Sequence, residues 1–192
     1  LTIAGIVLAA GESRRMGFPK PLLPYRGATF LEHIIAVLRD QVDPLVVVLG
    51  HEAPRIQRVV PDGARVVVNE DYARGQLSSL QTALAGLQAD AALVALVDHP
   101  GIDRELLARL LRAFRENRPP LLIPTFGGRR GHPMIFSRAL FAELLAAPLD
   151  QGARVVVRRH AALELAVDCE GILQDLDDPE TYRRVTGLDV PR

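Results

Sequence analysis

The sequence predicts an α/β fold with a mostly parallel sheet covered by helices on both faces. Three observations carry this. Short runs of Val, Ile and Leu alternate with longer amphipathic stretches, the pattern of repeated βαβ units. The runs LVVVL at 45–49 and AALVALV at 91–97 are apolar at every position, as strands buried on both faces must be. The 192 residues are 48% hydrophobic and 24% charged, which suits a globular chain with a sizeable core.

Taken in order, strands are expected at 3–10, 45–49, 64–68, 91–97 and 121–124, with helices near 29–40, 76–88 and 103–117. Right-handed crossovers follow from that order. After residue 125 the pattern loosens into a Gly/Arg-rich turn, FGGRRGHP, and a short apolar segment, MIF. Helical stretches around 137–146 and 151–159, a late strand at 163–167 and an acidic segment ending in DLDDPE at 175–180 close the chain before a short helical tail. There is no internal repeat, low-complexity tract or linker, so residues 1–192 are expected to form one domain.

Charge and cysteine content narrow the function classes. The 23 basic residues balance 23 acidic ones, which argues against a nucleic-acid or membrane-surface partner. Cys169 is alone, so an intramolecular disulfide or thiolate metal site is excluded and a reducing, cytoplasmic location is expected. The opening LTIAGIVLAA lacks a basic flank, and no apolar run reaches the roughly 20 residues of a membrane span. The chain opens at Leu1 with no methionine, so native residues before it are expected.

The zero net charge is a sum of local excesses. Residues 1–30 hold Arg14, Arg15, Lys20 and Arg26 against Glu12, whereas residues 161–182 hold seven acids and no cation. Lys20 is the only lysine among the 23 basic residues.

Open α/β sheets bind ligands beyond the carboxyl ends of their strands. The first strand runs straight into Ala9-Ala10-Gly11-Glu12-Ser13-Arg14-Arg15-Met16-Gly17-Phe18-Pro19-Lys20. Small residues let the backbone approach a ligand, exposed amides bind anionic oxygens, and three nearby cations suit a triphosphate. An ordinary βα turn with solvated arginines is the plain alternative; the lone lysine, a mobile point charge in a chain of arginines, weighs against it. The spacing matches neither the P-loop nor the dinucleotide G-x-G-x-x-G pattern.

Asp98 follows the fourth strand at the sheet edge, where it reads as a turn aspartate or as a Mg²⁺ ligand. A second carboxylate is available from Asp175, Asp177, Asp178 and Glu180, residues that otherwise form a solvated turn or a helix cap. Ser78 and Ser79 in NEDYARGQLSSL either cap a helix or face the cleft and read a base or ribose. Arg129-Arg130-Gly131-His132-Pro133 is a hairpin tip or a contact for a second substrate.

Together these segments resemble the MobA-like nucleotidyltransferases, and among them the molybdenum cofactor cytidylyltransferases. LAAGESRRMGFPKPLLP is similar to the family's signature L-A-A-G-x-S-x-R-M-G-x-x-K-x-L-L, and NEDYARGQLSSL, LVDHP, RRGHPMIF and DLDDPETY match later motifs in the right order. The resemblance implies a Rossmann-like three-layer fold, with residues 1–100 as the nucleotide-binding half and 101–192 as the acceptor-binding half. It implies that Leu8, Ala9, Ala10 and Gly11 read the base, and that Gly11, Glu12, Ser13, Arg14, Arg15, Met16 and Gly17 wrap the triphosphate. Gly75 and Ser79 join the nucleotide side, and Arg15 and Lys20 stabilise developing charge. Asp98 is expected to hold Mg²⁺ with Asp177, Asp175 being the other candidate. His99, Arg130, Gly131, His132 and Pro133 are expected on the acceptor side.

The implied reaction is attack by a molybdopterin phosphate on the α-phosphorus of CTP, with release of pyrophosphate and a molybdoenzyme as client. Guanylyl-transferring relatives usually have L-A-G-G at the first loop, so Ala10 points to CTP over GTP. Transfer from GTP to the same pterin, or to another phosphorylated acceptor, is the alternative enzyme reading. A silent nucleotide-binding or cofactor-chaperone module is the other class, and the presence of Lys20, Asp98 and Asp177 weighs against it.

Overall fold

The computed structural model describes residues 1–191. In chain order the elements are β1 (Ile3–Ala9), β2 (Pro24–Tyr25), β3 (Ala28–Thr29), α1 (Phe30–Leu38), β4 (Leu45–Leu49), α2 (Ala53–Ile56), β5 (Arg65–Val68), α3 (Gln76–Leu84) and β6 (Ala91–Leu96). They continue with α4 (Arg104–Asn117), β7 (Leu121–Phe126), β8 (Arg129–Arg130), β9 (Met134–Ser137), α5 (Phe141–Ala146), α6 (Arg154–Arg159), β10 (Ala162–Ala166) and α7 (Pro179–Thr186). The strands expected from apolar runs lie where expected to within two residues. The expected helix at 76–88 stops at Leu84, and the chain then turns through Gly86 at φ +76°.

The main sheet has the order β10-β7-β9-β6-β1-β4-β5, with β8 folded back on β7. Strands β1, β4, β5 and β6 are mutually parallel, as are β7 and β10. The MIF segment forms β9, which inserts antiparallel between β6 and β7. The Rossmann-like, mostly parallel expectation therefore holds, with β9 reversing direction in the middle of the sheet.

Side chains alternate along each strand between two cores, as the period of a strand requires. Val7 and Ala9 of β1, Val47 of β4 and Leu93 of β6 face α1, α4 and Tyr182 of α7. Ile6 and Leu8 of β1, Val48 of β4 and Val94 of β6 face α3, α5 and Val156 of α6. This gives three layers, with parallel strands buried on both faces.

Local capping fixes where several helices begin. Thr29 and Glu32 form a reciprocal capping box at α1, Asp103 accepts from the Leu106 amide at 2.8 Å at α4, and Asp178 accepts from the Thr181 amide at 2.8 Å at α7. The cap reading of the acidic run is thus realised at Asp178. Ser78 and Ser79 lie inside α3, whose cap is Gly75, so their expected capping role is not found.

The loop after β6 is locked to the segment before α7 by glycine contact. A Cβ placed on Gly171 would stand 2.0 Å from the Gly101 carbonyl oxygen, and one on Gly101 would meet the Gly171 Cα at 2.8 Å. Two backbones meet where no side chain fits. Gly171→Ala is therefore expected to destabilise the fold by about 2 kcal/mol or more, lowering Tm by about 4–8 °C in thermal unfolding.

Candidate active site

The carboxyl ends of β1 and β6 open onto one cleft, and the turn after β1 is organised by Ser13. Ser13 takes the left-handed φ of +54°, and its carbonyl accepts the amides of Met16 and Gly17 at 3.0 and 3.1 Å. Its hydroxyl accepts the Lys20 amide at 2.9 Å. That bond closes the loop and turns the Lys20 side chain into the cleft. Glu12 and Arg14 pair with each other on the loop's outer side, with Arg14 81% exposed.

Lys20 joins the two ends of the chain. Its Nζ lies 2.8 Å from Asp98 Oδ2 and also contacts Asp177 Oδ1, while the Arg15 guanidinium contacts the other Asp177 oxygen. The Lys20 side chain is 14% exposed and that of Arg15 is 72% exposed, so the ammonium is the withdrawn charge and the guanidinium the solvated one.

Burial alone would raise the Asp98 pKa, but the His99 hydrogen bond and the Lys20 charge outweigh it and hold the carboxyl well below the ordinary range. Burial alone would likewise lower Lys20, and Asp98 and Asp177 outweigh it and raise its pKa. Asp98 and Lys20 are both charged at neutral pH.

Asp175 supplies a third carboxylate. Its pKa is pushed up to about 6 by partial withdrawal from water and by the charges of Asp98 and Asp177. Ligand atoms of Asp98, His99 and Asp175 lie within 4.8 Å of one another. Two hard carboxylates crowded together, beside an aspartate bound to Lys20, fit a divalent cation that prefers oxygen donors. The Leu176 amide donates to the Asp98 carbonyl at 2.9 Å, which sets the acidic segment against the end of β6. Asp178 and Glu180 lie in the start of α7, outside this cluster.

The nucleotide-side candidates converge on a cavity of about 190 Å³, lined by Leu8, Ala9, Ala10, Gly11, Ser13 and Lys20, with Gly75, Ser79 and Asp98 opposite. Tyr72 and Gln76 also line it and had no signal of their own in the sequence. Asn69 is 4% exposed and donates to Ser78 Oγ at 2.8 Å and Ser79 Oγ at 3.0 Å, fixing the first turn of α3. A polar residue directly after an apolar strand is the signal that points to it. Three nucleotide-side candidates lie outside this lining: Gly17, in the turn with φ +70°, and the paired Glu12 and Arg14.

The RRGHP residues separate. Arg130 Nε donates to Glu164 at 2.9 Å on β10, at the far edge of the sheet. Gly131 packs where a Cβ would meet the Ile172 carbonyl oxygen at 2.5 Å, and Pro133 follows a cis peptide bond. Only His132 reaches the cleft: its ring lies edge-on to His99 at 5.3 Å, and His99 Nδ1 is 3.0 Å from Asp98 Oδ1. Burial and the neighbouring His99 push the His132 pKa down to about 4, so it is neutral at pH 7.

Residues 5–164 match the MobA-like NTP transferase domain. The chain is 35% identical to nicotine blue oxidoreductase of Paenarthrobacter nicotinovorans, over 95% of this chain and 96% of that one. It is 34% identical to the probable molybdenum cofactor guanylyltransferase of Mycobacterium avium (strain 104), over 90% and 86% of the two chains. Among solved structures it is similar to Rv0371c from Mycobacterium tuberculosis H37Rv, with TM-score 0.87 and 37% identity over 97% of this chain and 98% of that one. It also matches the complex of Rv0371C with manganese, with TM-score 0.81 and 33% identity over 97% and 99%. A family match over most of the chain, on a fold whose first loop and sheet-edge aspartate meet at one cleft, places this chain in the MobA-like NTP transferase family as a nucleotidyltransferase.

Proposed function

We propose that the chain transfers GMP from GTP to the phosphate of a molybdopterin-type acceptor and releases pyrophosphate. The observation that carries this reading is the Lys20 ammonium held between Asp98 and Asp177 beside a cavity walled by the first loop. A phosphate acceptor is already a nucleophile near neutral pH, so the site needs positioning and charge stabilisation and no nucleophilic side chain. The first loop and Ser79 hold the nucleotide. Lys20, on a flexible stem, follows the charge that develops on the phosphates, and solvated Arg15 supports it from outside. Asp98 with Asp175 or Asp177 would hold Mg²⁺ or Mn²⁺, which when bound supplies Lewis-acid stabilisation of the same charge. The manganese complex of the Mycobacterium tuberculosis relative supports a divalent cation.

The guanylyl assignment rests on relatives named as molybdenum cofactor guanylyltransferases. Transfer of CMP from CTP is the second reading, favoured by one residue: Ala10 stands where guanylyl-transferring relatives usually have glycine, and it lines the nucleotide cavity. The oxidoreductase name of the Paenarthrobacter relative marks a competing class. Against it stands the loop spacing, which is not that of a dinucleotide-binding turn. The acceptor chemistry and the lone Cys169 fit a cytoplasmic enzyme that serves a molybdoenzyme.

Pyrophosphate release measured with molybdopterin and either GTP or CTP tests the reading. Faster release with GTP is expected, and Ala10→Gly is expected to raise the GTP-to-CTP ratio further. Release with neither nucleotide overturns the proposal.

Lys20→Ala is expected to lower kcat about 10²–10³-fold in the same assay, the scale of losing one electrostatic donor to a developing charge. Wild-type turnover in that variant would remove Lys20 from the chemistry.

Asp175 gives a pH signature. Its folded-state pKa is raised from 3.8 to about 6, so without a divalent cation it subtracts stability as the pH rises from about 4 through 6. Metal binding requires the ionised form, so Mg²⁺ or Mn²⁺ should raise Tm more at pH 7.5 than at pH 5. Asp175→Asn should raise the metal-free Tm at pH 7.5, leave it unchanged at pH 4, and shrink the metal-induced rise. Differential scanning fluorimetry checks all three.

A further inference from the structure

A buried amide stands behind the nucleotide cavity, and its neighbours fix its hydrogen-bond polarity. Asn69 directly follows β5 and is not part of the cavity lining. Its Oδ1 accepts the Asp71 backbone amide at 3.0 Å, and a backbone N–H only donates. That bond decides which end of the side chain is oxygen. The Nδ2 end therefore faces α3, and its two hydrogens go to Ser78 Oγ at 2.8 Å and Ser79 Oγ at 3.0 Å. Both hydroxyls are made to accept.

The two serines differ in what they do with their own protons. Ser78 Oγ donates to the Gly75 carbonyl at 2.7 Å, so its donor and an acceptor position are both engaged within α3 and its cap. Ser79 is buried and accepts from Asn69, and among the described residues no acceptor takes its proton. Ser79 also lines the nucleotide cavity. A ligand donor could use the second lone pair of this hydroxyl only by leaving the Ser79 proton buried and unpaired, which costs more than the bond returns. A ligand acceptor satisfies every group at once. The hydroxyl thus meets the cavity as a donor.

We infer that Asn69 is a positioning residue that sets Ser79 as a hydrogen-bond donor to an acceptor atom of the nucleotide base, a ring nitrogen or a carbonyl oxygen. The inference rests on the proposed binding of a nucleoside triphosphate in this cleft. A base edge has fixed donors and acceptors, whereas a ribose hydroxyl turns to become either. A hydroxyl of fixed polarity therefore discriminates between bases and is indifferent to a ribose. Left free to rotate, the same hydroxyl would accept either polarity and select weakly. Of the two adjacent serines, Ser79 does the reading and Ser78 holds the turn.

Calorimetric titration of the full chain with GTP and Mg²⁺ tests this in four variants: Asn69→Ala, Asn69→Asp, Ser79→Ala, and Asn69→Asp combined with Ser79→Ala. Asn69→Ala frees the Ser79 hydroxyl to rotate. Asn69→Asp replaces the Nδ2 donor by a carboxylate oxygen that takes the Ser79 proton, so Ser79 turns only lone pairs toward the acceptor on the base. Ser79→Ala is expected to weaken GTP binding about tenfold, and Asn69→Asp to weaken it more than Asn69→Ala does. The decisive result is a rescue: the double variant should bind GTP more tightly than Asn69→Asp alone, because the opposed lone pairs are gone. A loss from Asn69→Asp that is the same with and without Ser79 would assign the effect to charge or to structure and overturn the inference. Equal losses in Asn69→Ala and Asn69→Asp would overturn it too, by marking a contact with the ribose. Should Asn69→Asp fail to fold, Asn69→Ala decides: its effect on GTP affinity vanishes in the Ser79→Ala background if Asn69 acts through Ser79, and persisting there it overturns the inference. GTP binding that ignores Ser79→Ala would remove the inference and leave the proposed function standing. The same rescue obtained with CTP, and no binding of GTP, would remove the guanylyl assignment and support the inference.

Discussion

One ammonium between two carboxylates organises the cleft. Lys20 is largely withdrawn from water, and so are the oxygens it meets on Asp98 and Asp177. Charges removed from water are tolerated only when paired, and removing one partner leaves the others uncompensated. The surrounding backbone fixes that pairing. The Ser13 hydroxyl ties down the Lys20 amide, the Leu176 amide ties the acidic segment to Asp98, and the Gly101–Gly171 contact clamps the two loops together. Tyr182, fully buried, donates its hydroxyl to the Pro24 carbonyl at 2.7 Å and so anchors α7 to the small β2–β3 hairpin next to the first loop. The site is a junction of remote segments, each held by its own short-range bond.

What could be seen in the sequence was what is local. The apolar runs LVVVL and AALVALV are strands because every position is buried, and that property is written in the residues themselves. The loop from Gly11 to Lys20 was legible because its small residues and cations are contiguous, and Asp98 because it directly follows a strand. The place of β9 was not legible: four residues carry too little pattern, and insertion between β6 and β7 is decided by pairing with distant partners. The same reason separates Arg130 from the cleft, since Glu164, its partner, lies on another strand. Asp177 could be named from its motif, whereas the crowding that distinguishes Asp175 emerges only when Asp98 is brought beside it.

The sheet treats its two faces unequally. On the α1–α4 side, helices and Tyr182 close the layer around Phe30, Leu107 and Phe114, all essentially excluded from solvent. On the α3–α6 side a cavity of about 390 Å³ remains against β6 and β9. A closed layer supplies the cohesion of the fold, and an interrupted one supplies room. The reversal of β9 bears on this, because an antiparallel strand at the middle of the sheet does not need a crossover helix on that face. Strand direction and available space are two sides of one topological choice.

The Tyr182–Pro24 bond also has a meaning in time. A ribosome delivers the chain from its amino end, so the first loop and the end of β6 exist long before α7 is made. Until the acidic segment before that helix is made, Lys20 has Asp98 for company and lacks Asp177. The charge pattern of the cleft is therefore completed by the last part of the chain to be synthesised.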